Sequence, residues 1–168
     1  MKENLFYEKW GSPVGHLFLY SNDTHLLALT FAQNNERVLK QLRFDHFNQG
    51  SSKVIEEAIS QLTDYFQGTL TQFQIPFRLE GTDFQKSAWN SLKQIPYGQT
   101  ITYKEQAQRL NNKNALRAIG TAIGRNPISI IVPCHRVIGS NGTLKGYAGG
   151  LSAKAKLLEI EKLSTKVG

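Results

Sequence analysis

The sequence predicts an α+β fold in two parts. Strands followed by helices come first, and a basic, mostly helical part built around a helix-turn-helix comes second. Three observations carry this. Short aromatic and aliphatic runs separated by turn residues fill the first third, whereas helical periodicity dominates after residue 81. Charge divides at the same place: residues 1–81 hold seven bases against nine acids, and residues 82–168 hold thirteen bases against four acids. Finally, 168 residues that are 40% hydrophobic are enough to bury a sizeable core, as one domain or two small ones.

The elements follow in order. Residues 5–10, 15–20 and 26–31 read as strands, parted by turn chemistry at Gly11-Ser12-Pro13 and Ser21-Asn22-Asp23. Residues 35–44 suit a first helix. A second covers about 52–66, with Ile55, Ile59, Leu62 and Phe66 on one stripe and Gly68 as the stop. Residues 73–79 look extended, and Glu80-Gly81 is the expected boundary, giving domains 1–80 and 81–168.

Two capping boxes open the second part. Thr82-x-x-Gln85 precedes a helix in which Phe84, Ala88, Leu92 and Ile95 share a face, ended by Pro96. Thr102-x-x-Glu105 starts a short helix over 103–110. Residues 111–114 make a polar turn, and 115–124 form the next helix. At helical spacing Ile119 and Ile123 face inward, while Arg117, Ala118, Thr121, Ala122, Gly124 and Arg125 share the outer side. Two glycines in a helix cost roughly 1 kcal/mol each relative to alanine. Tight packing inside the protein or close approach of a ligand would each explain them, and the two arginines favour nucleic acid.

Composition excludes several classes. One cysteine cannot form an internal disulfide or a cysteine-rich zinc site, so neither metal nor cofactor is expected. No apolar run approaches the ~20 residues that span a bilayer, and the mixed-charge N-terminus is no signal peptide. The expectation is a cytoplasmic protein, nucleoid-associated in a prokaryote or nuclear in a eukaryote. The formal net charge is +7, and from Lys86 to Lys156 the only acid is Glu105. Such a concentration of cations suits a polyanion.

Residues 128–132 form an apolar run that reads as a buried strand, ending at Pro133 and followed by Cys134-His135-Arg136-Val137. Adjacent Cys and His suggest an activated thiolate with a proton acceptor beside it. Neighbours on an extended strand point to opposite faces. Either the chain turns at Cys134 or the proton travels through a water.

Pro133-Cys134-His135-Arg136-Val137 resembles the active-site signature of the O6-alkylguanine-DNA alkyltransferases. Ile95-Pro-Tyr-Gly-Gln-Thr-Ile-Thr-Tyr103, Arg117-Ala-Ile-Gly, Arg125-Asn126-Pro127 and Gly146-Tyr147-Ala-Gly-Gly-Leu151 follow in the family's order and spacing. The resemblance is specific from about Thr82 to Glu161. It implies an N-terminal RNase H-like domain and a C-terminal winged-helix-like DNA-binding domain. It also implies irreversible, single-turnover transfer of the alkyl group from guanine O6, and less readily thymine O4, to Cys134 with base flipping.

By the same resemblance His135 takes the thiol proton through a water and Glu161 orients the histidine. Tyr103 donates to the base and helps rotate the nucleotide, and Arg117 fills the vacated stack. Asn126 braces the turn before the cysteine. Val137, Tyr147 and Ala148 form the base pocket. Ala118, Thr121, Ala122 and Arg125 line the minor groove of double-stranded DNA, and Gly139 to Lys145 form a wing-like loop. The expected state is a monomer, with cooperative binding along DNA as an alternative. Some members carry a zinc site whose ligands are lacking here, and Ser129 stands where some relatives have proline. The competing readings are a lesion-flagging protein with an inert thiol, a helix-turn-helix regulator with a buried cysteine, and a hydrolytic cysteine enzyme.

Overall fold

A computed structural model describes residues 3–44 and 46–167, leaving out the side chains of 163 and 165–167. Three antiparallel strands form its first layer: β1 (Phe6–Ser12), β2 (Gly15–Ser21) and β3 (Leu26–Phe31). After α1 (Asn35–Leu42), the two-residue β4 (Asn48–Gln49) pairs parallel to β1, giving the order β3-β2-β1-β4. The predicted turn at Gly11-Ser12-Pro13 is tighter than expected, because β1 continues through Ser12, which pairs with Gly15.

α2 (Lys53–Phe66) packs on this sheet, capped at its start by the Ser52 hydroxyl, which accepts from Ile55 N. Ile55 and Leu62 are fully buried as their spacing predicts. Ile59 and Phe66 lie at the margin, and Val54, Ala58, Gln61 and Tyr65 complete the buried face. Residues 73–79 contribute one bridge, Leu26 to Phe77, and no strand of their own.

β3 is at the sheet edge, yet all six of its residues are buried. An open edge invites unwanted pairing, and here two segments cover it. Leu26 N donates to Pro76 O at 2.9 Å and Leu29 N donates to Pro127 O at 2.9 Å. In return Arg78 N and Ser129 N each donate to a β3 carbonyl at 3.0 Å. The second of these segments leads directly to Cys134, so the first layer is the platform that holds the cysteine loop.

The second part is helical. α3 (Asp83–Leu92) and α4 (Tyr103–Arg109) both start with complete capping boxes, Thr82 with Gln85 and Thr102 with Glu105. Along α3, Ala88, Trp89 and Leu92 are buried, and Ile95 packs beyond the helix end. Phe84 departs from the predicted face: it is 38% exposed, and Trp89 occupies the core with its indole N–H donating to Ala122 O at 2.8 Å. α5 (Leu116–Gly124) packs against α3 and α4. A two-stranded parallel pair, β5 (Ile101–Thr102) and β6 (Val137–Ile138), and the long α6 (Leu151–Val167) complete the chain. One continuous core, from Leu17 through Trp89 to Leu157, joins the two parts. No helix among the described residues is long and apolar enough to cross a membrane.

Candidate active site

The apolar run 128–132 is not a strand. It is a buried series of turns, with one bridge from Ile128 to Leu29. Ile130 sits at φ 71°, a left-handed conformation that a β-branched residue rarely adopts. The neighbouring Asn126 holds this shape, since its Nδ2 donates to Val132 O at 2.8 Å and its Oδ1 accepts from Ile128 N at 3.0 Å. Cys134–Arg136 then form a single 3-10 turn. The chain turns at the cysteine, so the opposite-face rule for strand neighbours does not apply to Cys134 and His135.

Behind this turn lies a buried charge cluster centred on Glu161 of α6, 1% exposed. Its Oε2 contacts His135 Nε2 at 2.5 Å and accepts from the Tyr65 hydroxyl at 2.6 Å. Its Oε1 accepts from Arg136 Nε at 2.8 Å and from Gly98 N at 3.2 Å. Arg136 also donates to Ile95 O at 2.7 Å and lies 5.7 Å from the Tyr97 ring centroid. Burial alone pushes the Glu161 carboxyl up, but His135 and Arg136 outweigh it and hold the pKa at about 2. Burial pushes the His135 pKa down, against the pull of Glu161. The ring is therefore neutral, with Nε2–H directed at the carboxylate. That leaves Nδ1, which has no hydrogen-bond partner among the described residues, free to accept a proton.

Cys134 borders a cavity of about 280 Å³, together with Tyr103, Asn126, Ser129, Tyr147 and Ala148. Burial raises the thiol pKa, opposed by Asn126 and by the Lys154 ammonium. The resting group is thus a thiol, and a nucleophile must be made by removing its proton. Tyr147 borders the cavity, its buried hydroxyl has no hydrogen-bond partner among the described residues, and its ring is edge-on to Phe31 with the centroids 5.4 Å apart. Gly149 permits this approach, because a Cβ there would meet the Phe31 ring at 2.6 Å. Val137 is fully buried and does not border the cavity. Its carbonyl accepts from Lys154 Nζ at 2.7 Å, and the same ammonium holds Lys145 O at 2.7 Å.

The outer side of α5 flanks this cavity. Arg117, Ala118, Thr121 and Arg125 are exposed and line one groove. Arg117 also borders a second groove with Tyr103, Lys145 and Leu116, the last 46% exposed. Ala122 departs from the expected outer face: it is 3% exposed and forms groove floor beside Trp89. A Cβ on Gly120 or Gly124 would meet nothing within 4 Å. Internal packing therefore does not require these glycines, and the close-approach explanation remains.

Residues 5–79 match the family model described as 6-O-methylguanine DNA methyltransferase, ribonuclease-like domain, and residues 83–163 match its DNA binding domain. A methylated-DNA-protein-cysteine methyltransferase of Methanosarcina barkeri is 45% identical over 158 residues, which is 94% of this chain and 98% of that one. The chain belongs to the 6-O-methylguanine DNA methyltransferase family. A Mycobacterium leprae relative of the same name is 46% identical over 151 residues, 90% of this chain and 88% of that one. Among solved structures, Mycobacterium tuberculosis OGT in complex with DNA superposes with a TM-score of 0.86 at 42% identity, covering 95% of this chain and 94% of that one. The ribonuclease-like and DNA-binding halves of the 6-O-methylguanine DNA methyltransferase family are the two parts described above.

Sequence reasoning missed three residues of this family member's site: Tyr65, Arg136 and Lys154. A signal for the last existed. Lys154, Leu157 and Glu161 lie three and seven residues apart, one buried helical stripe carrying two charges. Arg136, flanked by His135 and Val137 in a buried turn, needed a partner for the same reason.

The cluster sets an acid limit on stability. Glu161, held at about 2 against an ordinary 4.5, contributes stability that is complete above pH 4.5 and lost as pH falls toward 2. That amounts to about 3 kcal/mol, shared across the coupled pair. His135 adds to the loss, because the unfolded ring binds a proton below its ordinary 6.5 while the buried ring resists. The urea midpoint should fall gently below pH 6.5, from His135, and more steeply between pH 4.5 and pH 2, from Glu161. A midpoint independent of pH across that range would mean the cluster is not ionised as described.

Proposed function

We propose that this chain is a single-use DNA repair protein that moves the alkyl group of O6-alkylguanine, and of O4-alkylthymine, onto Cys134. The observation that carries the reading is a buried thiol on the wall of a cavity that opens to the surface, next in sequence to a neutral histidine locked to an ionised carboxylate. In the reaction a carbon–sulfur bond forms as the carbon–O6 bond breaks. The thiol proton passes to His135 Nδ1 through a water, the departing base anion takes a proton onto its ring nitrogen from water, and His135 returns its proton to water, so that in balance the thiol proton replaces the alkyl group on the base. Tyr103 supplies a hydrogen bond to the departing base. Asn126 keeps the cysteine turn in shape, and Tyr147 and Ala148 hold the base with Val137 behind them. A thioether does not hydrolyse, so each molecule acts once.

A base inside a duplex cannot reach this cavity, so the nucleotide must rotate out at a cost of a few kcal/mol. The narrow outer side of α5, with its two open glycines, supports entry of this helix into the minor groove of double-stranded DNA. Ala118, Thr121 and Arg125 would face the backbone there, with Ala122 as floor. Arg117, at the helix start between two grooves, fills the vacated stack. The proposed domains are 1–80 and 81–168, a reading supported by the matched segments 5–79 and 83–163, and the protein acts as a monomer in the cytoplasm or on the chromosome, with cooperative loading on DNA as the alternative.

Arg117→Ala tests the flipping role. Alkyl transfer from a duplex should slow by roughly 10- to 100-fold, in line with a loss of about 1.4–3 kcal/mol, while transfer from free O6-benzylguanine changes little. Equal slowing on both substrates would remove the assignment.

A further inference from the structure

A second cationic groove lies where the N-terminal part meets the end of α5. It is lined by Arg37, Lys40, Arg43, Thr82, Gln85 and Arg125, among others. Thr82, Gln85 and Arg125 also line the groove along the outer side of α5, so the two surfaces are continuous. The junction is fixed. Arg37 Nη2 donates to Gly124 O at 2.8 Å and Gln41 Nε2 donates to Arg125 O at 3.2 Å, both onto the carbonyls that the end of a helix leaves unsatisfied.

Those bonds give Arg37 and Gln41 a structural task. The side chains of Arg43 and Arg125 have none of that kind among the described residues. No carboxylate among the described residues pairs with Arg37, Arg43 or Arg125. Lys40 pairs with Glu36 at 2.9 Å, but both side chains are at least 75% exposed, and such a pair is easily exchanged for another anion. Arg43 ends α1 at φ 58°, a left-handed position that glycine fills with less strain. Burial lowers the Arg37 pKa, and the nearby Arg125 charge lowers it further, so the groove carries uncompensated positive charge.

We propose that this groove holds the phosphate backbone of the same duplex, beside the lesion, making the N-terminal part a second DNA-binding element. The inference rests on the reading that α5 enters DNA. Its support is charge complementarity to a polyanion and continuity with the α5 groove. Under it the N-terminal layer does more than carry the cysteine loop: α1 sets how far the footprint extends past Arg125.

The test compares the wild-type chain with a Lys40→Ala/Arg43→Gly variant. Glycine suits the left-handed position, so the variant should fold, which its melting temperature checks. Binding to a duplex with one O6-methylguanine and long flanks is titrated between about 50 and 200 mM salt. The slope of log affinity against log salt should become shallower by about 1–2, at about 0.9 for each phosphate that the groove ceases to neutralise. Affinity at the low-salt end should fall about 10-fold, and transfer from free O6-benzylguanine should be unchanged. An unchanged slope would overturn the proposal and leave a solvated face. So would a loss seen only when several copies share one duplex, which would assign the groove to a second copy of the chain. The slope decides this inference, while wild-type transfer to Cys134, read by mass in the same samples, decides the reading beneath it.

Discussion

Cys134→Ala reduces alkyl transfer to background while DNA affinity stays largely intact. Among the described groups that line the cavity, the sulfur is by far the best nucleophile once its proton is removed, and the hydroxyls of Tyr103, Ser129 and Tyr147 do not substitute for it. Removing one sulfur from a residue that is 7% exposed costs about 1 kcal/mol of stability, which leaves the fold and the α5 surface in place. Affinity is read by titration of a lesion-containing duplex and transfer by protein mass. A variant that loses binding along with transfer would show that the thiol is structural, a buried residue in a DNA-binding protein.

Glu161→Gln is the second large effect, and it acts on both stability and rate. The carboxylate accepts from Tyr65, His135, Arg136 and Gly98. An amide has one accepting oxygen and turns its NH2 toward donors, so either His135 or Arg136 loses its partner. Leaving the Arg136 guanidinium buried without a counter-charge costs about 3–5 kcal/mol, or roughly 10 °C in Tm for a chain of this size. Transfer should slow by roughly 10²–10⁴, the usual worth of a general base, because nothing then fixes the His135 Nε2–H tautomer. Rates are measured with free O6-benzylguanine well below the variant's Tm, which separates lost catalysis from lost fold. A variant with lowered Tm and an unchanged rate would make Glu161 structural and take His135 out of the proton path.

The parts legible in the sequence were those set by local rules. Both capping boxes formed as written, because a cap needs only residues three apart. β3 and α5 were readable from periodicity. The cysteine loop was not. Its four apolar residues around Ser129 read as a strand, and only pairing of residues 127–129 with Leu29, some hundred residues away, turns the segment into a buried series of turns. β4 exists only through its pairing with β1 and has no pattern of its own. Along α3, spacing does not tell which of two aromatics is inside, and Trp89 wins over Phe84 because its N–H finds Ala122 O. The same hydrogen bond buries Ala122.

The site divides in the same way. Cys134, His135 and Glu161 could be chosen by resemblance, and the structure brings the last two into direct contact. Tyr65 could not, because a tyrosine on the core stripe of α2 looks like packing. Its hydroxyl reaches Glu161 across 96 residues of sequence, a link between the N-terminal part and the proton path that no local window contains.

On the proposed chemistry, Cys134 is consumed by the lesion it repairs. The sharpest check is the intact mass after mixing equimolar protein with a duplex carrying one O6-methylguanine, followed by peptide mapping. The expected result is a single added methyl on Cys134, guanine restored in the DNA, and no further repair when fresh lesion is supplied. An unchanged mass with lesion-selective binding would contradict this and indicate a protein that flags the lesion. Repair beyond one equivalent would contradict it as well.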